Sequence, residues 1–170
     1  ITAELLEAGV IKEAGHGEST GGRRPVLLEL NPTAAHIFAV KLQRGEATAA
    51  LFGLTCNLLA ERTYHLDTDA PEGVVETIGR SFQELAREAD IDPGSVLLCG
   101  VACPGLVCSE RGIVERSSNL GWLKVPLGEM IRNRLGGISV HVENISNAAA
   151  LAEKEFGLGK GYSDMVFVNL

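Results

Sequence analysis

The spacing of apolar positions divides the chain into a short amphipathic opening, a run of strands, and a longer stretch in which strands and helices take turns. Residues 2–8 carry Leu5 and Leu6 among helix formers and stop at Gly9, a common residue just past a helix end. Residues 10–13 read as a short strand, 14–22 as a Gly/Ser turn, and 26–30 as a second strand halted by Asn31-Pro32. Beyond Pro32, residues 34–42, 47–54 and 58–66 predict three strands of an antiparallel meander, with tight turns at 43–45 and 53–57. Val74, Val75, Ile78, Phe82, Leu85 and Ala86 recur at helical spacing and predict one amphipathic helix over 74–89, with turn and capping residues at 68–72.

After Asp92-Pro93-Gly94 the uncharged run 96–103 predicts a strand buried on both faces, ending at Pro104-Gly105. A hairpin is expected over 106–114 around Glu110-Arg111-Gly112, a loop over 119–122, and a short helix over 126–135. Another buried strand is expected over 138–142, an Ala-rich helix over 146–156, and a strand-like run over 165–170. Three meander strands followed by alternating helices and strands make an α/β fold, a mixed sheet covered by helices.

Composition narrows the setting. With 170 residues the chain can bury one core, or one core plus a small appendage. It begins at Ile1 without Met and ends inside a strand-like run, so it reads as a piece of a longer protein. Hydrophobic content of 45% with 22% charged residues excludes wholesale disorder. A net charge of −7 argues against coating nucleic acid through bulk charge, yet leaves room for a small basic element on an acidic body. No apolar run reaches the roughly 18 residues of a membrane span, and no signal peptide is recognisable. Cys56, Cys99, Cys103 and Cys108 form no CxxC pair, which favours reduced, mostly buried thiols in a cytoplasmic protein over a zinc site.

Two places concentrate candidate chemistry. The first is the strand-to-helix turn Asn144-Ile145-Ser146-Asn147 within the stretch from Glu143 to Glu153, where helix N–H groups face whatever sits there. Asn144 and Asn147 read either as caps of the following helix or as ligand contacts, with the Gly105 backbone as a candidate neighbour. The second is Gly21-Gly22-Arg23-Arg24, where guanidinium groups on a glycine-hinged loop can contact phosphates or a minor groove. The alternative is a solvated turn with two surface charges. Helix, strand, turn and strand in that order make the second half of a winged helix. His16, His36, His65 and His141 are scattered and read as surface or strand residues, and Trp122 as a packing anchor.

The succession GGRRP, three-strand meander, GVACPGLV, SSNLGW, VHVENISNAAALAE and FGLGKG resembles the ROK family of repressors, open reading frames and sugar kinases. The repressor branch is the nearer likeness, because the kinases lack a winged helix before the meander. The resemblance implies an actin-like ATPase (ribonuclease H-like) fold of two lobes. On that reading residues 1–32 are the C-terminal part of a winged-helix DNA-binding domain and 33–170 the N-terminal lobe, with the second lobe absent. Family kinases carry a DxGxT-like turn between the first two strands; here Lys41 stands for the Asp and Gln43 for a Gly. A Lys cannot hold magnesium, and a side chain at the Gly position crowds a nucleotide. Family kinases also carry Asn-Asp-Ala-Asn, whose Asp takes the proton from the attacking sugar hydroxyl. Here that position is Ile145, which accepts no proton, so phosphorylation looks disabled while Asn144 could still meet a hydroxyl. An apolar side chain at 145 favours a less hydroxylated effector, or none. The family's zinc site lies in the second lobe and is not matched by Cys99, Cys103 or Cys108, so no cofactor is expected in this chain. The leading expectation is a DNA-binding transcriptional regulator, a repressor of sugar metabolism. Its partners would be operator DNA, a sugar or derivative as effector, and a second copy of itself, with no membrane. An ATP-dependent sugar kinase and a non-enzymatic assembly module remain open.

Overall fold

A computed structural model describes residues 1–17 and 24–168. Helix α1 (Thr2–Glu7) ends where Gly9 takes a positive φ of 69°, as its position after the apolar pair predicts. Strands β1 (Ile11–His16) and β2 (Val26–Leu30) pair antiparallel, with a bulge between Glu13 and Gly15. β1 thus runs three residues past the predicted 10–13, because Gly15 supplies the bulge that lets the ladder continue. Asn31, just past β2, closes the base of this hairpin: its backbone N–H donates to the Val10 carbonyl and its side chain to the Gly9 carbonyl at 2.9 Å.

The main sheet is built from β3 (His36–Gln43), β4 (Glu46–Gly53), β5 (Leu58–His65), β6 (Val96–Cys103) and β10 (Ser139–Asn144), in the order β10-β6-β3-β4-β5. The meander strands β3, β4 and β5 are antiparallel, whereas β6 and β10 run parallel to β3. Helix α2 (Pro71–Glu88) covers one face, burying Val74, Val75, Ile78, Phe82, Leu85 and Ala86 against Phe38, Val40 and Leu42. The rings of Phe38 and Phe82 meet edge-on with centroids 5.1 Å apart. A smaller sheet of β7 (Leu106–Cys108), β8 (Ile113–Ser117) and β9 (Trp122–Val125) follows β6, and α3 (Leu127–Arg134) leads into β10. Helix α4 (Ile145–Phe156) starts directly from β10.

Several expectations change. α2 begins at Pro71, whose fixed φ suits a first helical turn, rather than at Val74. Trp122 lies in a strand, not a loop; its ring is buried and its Nε1–H donates to the Asp69 carbonyl at 2.6 Å, so it anchors as expected. β10 is an edge strand in which Val142 alone is fully buried, and β6 has only one fully covered face, since Gly100 and Ala102 lie half-buried on the other. Residues 165–168 form no strand. Cys99 and Cys103 are buried, but Cys108 is half-buried and Cys56 exposed. All four histidines lie in strands, and His36, the buried one, is hydrogen-bonded through Nδ1 to Ser95 at 2.7 Å. Among the described residues, no helix is long and apolar enough to cross a membrane.

Candidate functional site

The parallel strands β3, β6 and β10 end together at Gln43, Cys103 and Asn144, and clefts beyond the carboxyl ends of parallel strands are where open α/β sheets bind ligands. Register sets the cleft's floor. Lys41 of β3 lies beside Ala102 of β6, which lies beside Glu143 of β10. Lys41 is exposed and makes no ion pair among the described residues.

The turn after β10 is locked by two consecutive side chains. Asn144 Oδ1 accepts from the Ser146 and Asn147 N–H groups at 2.8 and 3.1 Å, capping α4, while its Nδ2 donates to the Gly105 carbonyl at 2.6 Å. The two sequence-predicted contacts are therefore brought together, and Asn144 serves as a cap and also ties the turn to the Gly105 backbone. Glu143 accepts from the Asn144 N–H at 2.7 Å and Asn147 Nδ2 at 3.1 Å through Oε1, and from Ser109 Oγ at 2.9 Å through Oε2. Asn147 consequently braces Glu143 rather than capping the helix. Burial pushes the Glu143 carboxyl up, but the hydrogen bonds from Asn144, Ser109 and Asn147, with His141 nearby, outweigh it and hold the pKa below the ordinary carboxylate value. Ile145, the first residue of α4, is half-buried.

Gly105 fits its place for two reasons. Its φ of 116° is one that L side chains rarely adopt, and a Cβ there would sit 2.8 Å from the Ser117 Cα and closer still to the Arg116 carbonyl. Behind the turn, an open groove of about 550 Å³ runs between α4 and the uncovered sheet face, floored by Ala39, Ala50, Gly100 and Ala102. No three His, Cys, Asp or Glu side chains gather to hold a metal among the described residues. Burial pushes the Cys99 and Cys103 thiols up to about 12, away from the thiolate form that binds a metal.

Of the basic loop, Arg24 is exposed just ahead of β2, and Gly21, Gly22 and Arg23 lie outside the described residues. Sequence reasoning gave no role to Glu143 or Ser109. The spacing of Glu143 and Asn147 offered a local signal, but Ser109 lies 34 residues from its partner and offered none.

A five-stranded mixed sheet with α2 and α3 packed on one side and the ends of its parallel strands gathered at one edge has the actin-like ATPase fold. The chain belongs to the ROK family, whose sequence pattern it matches over residues 37–170. It is 32% identical, over its whole length, to a putative xylose repressor of Caldicellulosiruptor sp. strain Rt8B.4, and spans 43% of that protein. It is 27% identical over its whole length to the DNA-binding transcriptional dual regulator NagC of Escherichia coli K12, spanning 42% of it. Among solved structures, a ROK family transcriptional regulator, a homologue of the E. coli MLC protein, superposes with a TM-score of 0.74 at 30% identity. That match covers 91% of this chain and 39% of that one. A ROK glucokinase of Streptomyces griseus in complex with glucose and AMPPNP gives 0.62 at 26% identity, over 76% of this chain and 39% of that one.

Proposed function

We propose that the chain is part of a sugar-responsive transcriptional repressor whose kinase-like lobe binds its effector without phosphorylating it. The observation that carries this reading is the construction of the turn. Asn144 and Gly105 keep the walls of a ligand cleft together, while the first helical turn holds Ile145, Ser146 and Asn147 and so offers no titratable base. The carboxylate next to the turn, Glu143, accepts from three donors and its pKa is depressed, the opposite of a base poised near neutrality. Lys41, in line with it across Ala102, replaces the acid that a magnesium ion would need.

Similarity supports the regulatory side. The repressors align with the entire chain, whereas the family's shared pattern begins only at residue 37. The first 36 residues are thus the portion that the regulators have in common beyond the family pattern. α1, β1 and β2 have the order and pairing of the back half of a winged helix, and on this reading the loop Gly21, Gly22, Arg23 and Arg24 is the wing tip. The effector is a sugar or a derivative, the DNA is an operator, and the protein works as a cytoplasmic homo-oligomer whose two heads are spaced by the lobes.

The test uses the full-length protein and operator duplexes that it selects from random sequence. Arg23→Ala with Arg24→Ala should weaken operator binding and make the log–log salt dependence shallower by about 2, the share of two phosphate contacts. Unchanged affinity and slope would remove the wing from the interface. D-xylose, N-acetylglucosamine and glucose, the sugars that the relatives' names point to, should be tried as effectors. A kinase, which the glucokinase likeness keeps in view, would instead consume ATP with one of them in a coupled assay; turnover lost in Asn144→Ala would establish it.

A further inference from the structure

We infer that Glu143 is a positioning residue for the effector cleft: together with Asn144 it clamps both ends of the short strand β7. β7 has three residues, Leu106–Cys108, and is gripped immediately before and immediately after. Ahead of it, the Gly105 carbonyl accepts from Asn144 Nδ2 at 2.6 Å; behind it, Ser109 Oγ donates to Glu143 Oε2 at 2.9 Å. Two consecutive residues at the end of β10 therefore fix β7, which on the effector reading forms one wall of the cleft. Because Oε1 of the same carboxylate accepts from the Asn144 N–H and from Asn147 Nδ2, the wall is tied to the first turn of α4. The inference rests on the reading of this cleft as the effector site.

A carboxylate suits the task because all its lone pairs accept, and three donors from two separate segments converge on it. Gln preserves most of the arrangement, its Oε1 taking the two donors at the turn and its Nε2 donating to Ser109 Oγ. Ala removes it all and leaves the Asn144 N–H, Asn147 Nδ2 and Ser109 Oγ without their partner. Loss of Glu143 leaves the Asn144–Gly105 bond as the remaining side-chain tie between β7 and the start of α4 and frees the Ser109 end, and a cleft whose walls are not held in register loses affinity for a ligand that spans them.

Full-length protein carrying Glu143→Ala, Glu143→Gln or Ser109→Ala should be measured in two ways. By calorimetry with the three sugars named above, Glu143→Ala should weaken binding of whichever one the wild type takes by at least about tenfold, the effect of one lost charge-assisted hydrogen bond. Glu143→Gln should stay close to wild type, and operator binding without sugar should be the same in all. By hydrogen exchange, peptides covering 106–109 and 145–148 should exchange faster in Glu143→Ala but not in Glu143→Gln, and 106–109 alone in Ser109→Ala. Wild-type sugar affinity in Glu143→Ala, or unchanged exchange at 106–109, overturns the clamp. Should the wild type bind none of the three sugars, the effector reading fails for them, while the exchange data still decide whether the clamp exists. If Glu143→Ala does not fold, Ser109→Ala decides by the same exchange measure.

Discussion

Gly105 and Glu143 show how single residues shape the cleft. At Gly105 both the positive φ and the nearness of Arg116 and Ser117 backbone forbid a side chain, and backbone cannot swing aside as a flexible side chain would. Gly105→Ala should therefore cost more than about 2 kcal/mol, read from urea unfolding, and a cost below that would mean the turn can shift. Glu143 carries a pH signature. Its folded pKa lies below the ordinary value of 4.5, so its contribution to stability is complete above that value and fades as pH falls through 4.5 to the depressed folded value. Glu143→Gln should flatten the loss of stability in that window relative to wild type, with the His141 ring, 4.0 Å from the carboxylate, left unchanged in both proteins. The capping half of the Asn144 reading was legible from the sequence because capping is local: an Asn just ahead of an Ala-rich run can accept from the first N–H groups of the helix. Its bond to Gly105 and the engagement of Glu143 by Ser109 depend on chain segments brought together by folding, and residue spacing carries no trace of them.

Secondary structure elements follow the same division between local and distant causes. α2 was readable because its apolar residues repeat with the helical period, and Phe82 is the tooth that meets the sheet at Phe38. Phe82→Ala should cost about 3–5 kcal/mol in thermal or denaturant unfolding, and a much smaller loss would mean that α2 repacks over the gap. Strand boundaries in the meander were close for the same reason. The strand β9 escaped notice because four residues are too few to display a period, and Trp122 is placed there by pairing with Ser117 and by its bond to Asp69. From their apolar content β6 was expected to be buried on both faces and β10 to be a buried strand. Gly100 and Ala102 show what that content also permits, a flat face of small residues left open beside α4.

Across the whole molecule, coverage of the sheet is uneven. α2 and α3 pack on one side, whereas α4 buries none of its residues, leaving Leu151 60% and Phe156 75% exposed. A polypeptide of these 170 residues should bind the dye ANS through this face, and Leu151→Gln with Phe156→Gln should reduce the fluorescence without changing the far-ultraviolet dichroism. Equal fluorescence in the two would place the dye elsewhere. The lock on the strand-to-helix turn bears on descent as well as on binding. Asn144, Gly105, Glu143, Ser109 and Asn147 hold the turn's shape among themselves, and residue 145 contributes no side-chain hydrogen bond to it. A lineage can therefore change the side chain at position 145 without losing any of the hydrogen bonds that give the turn its shape.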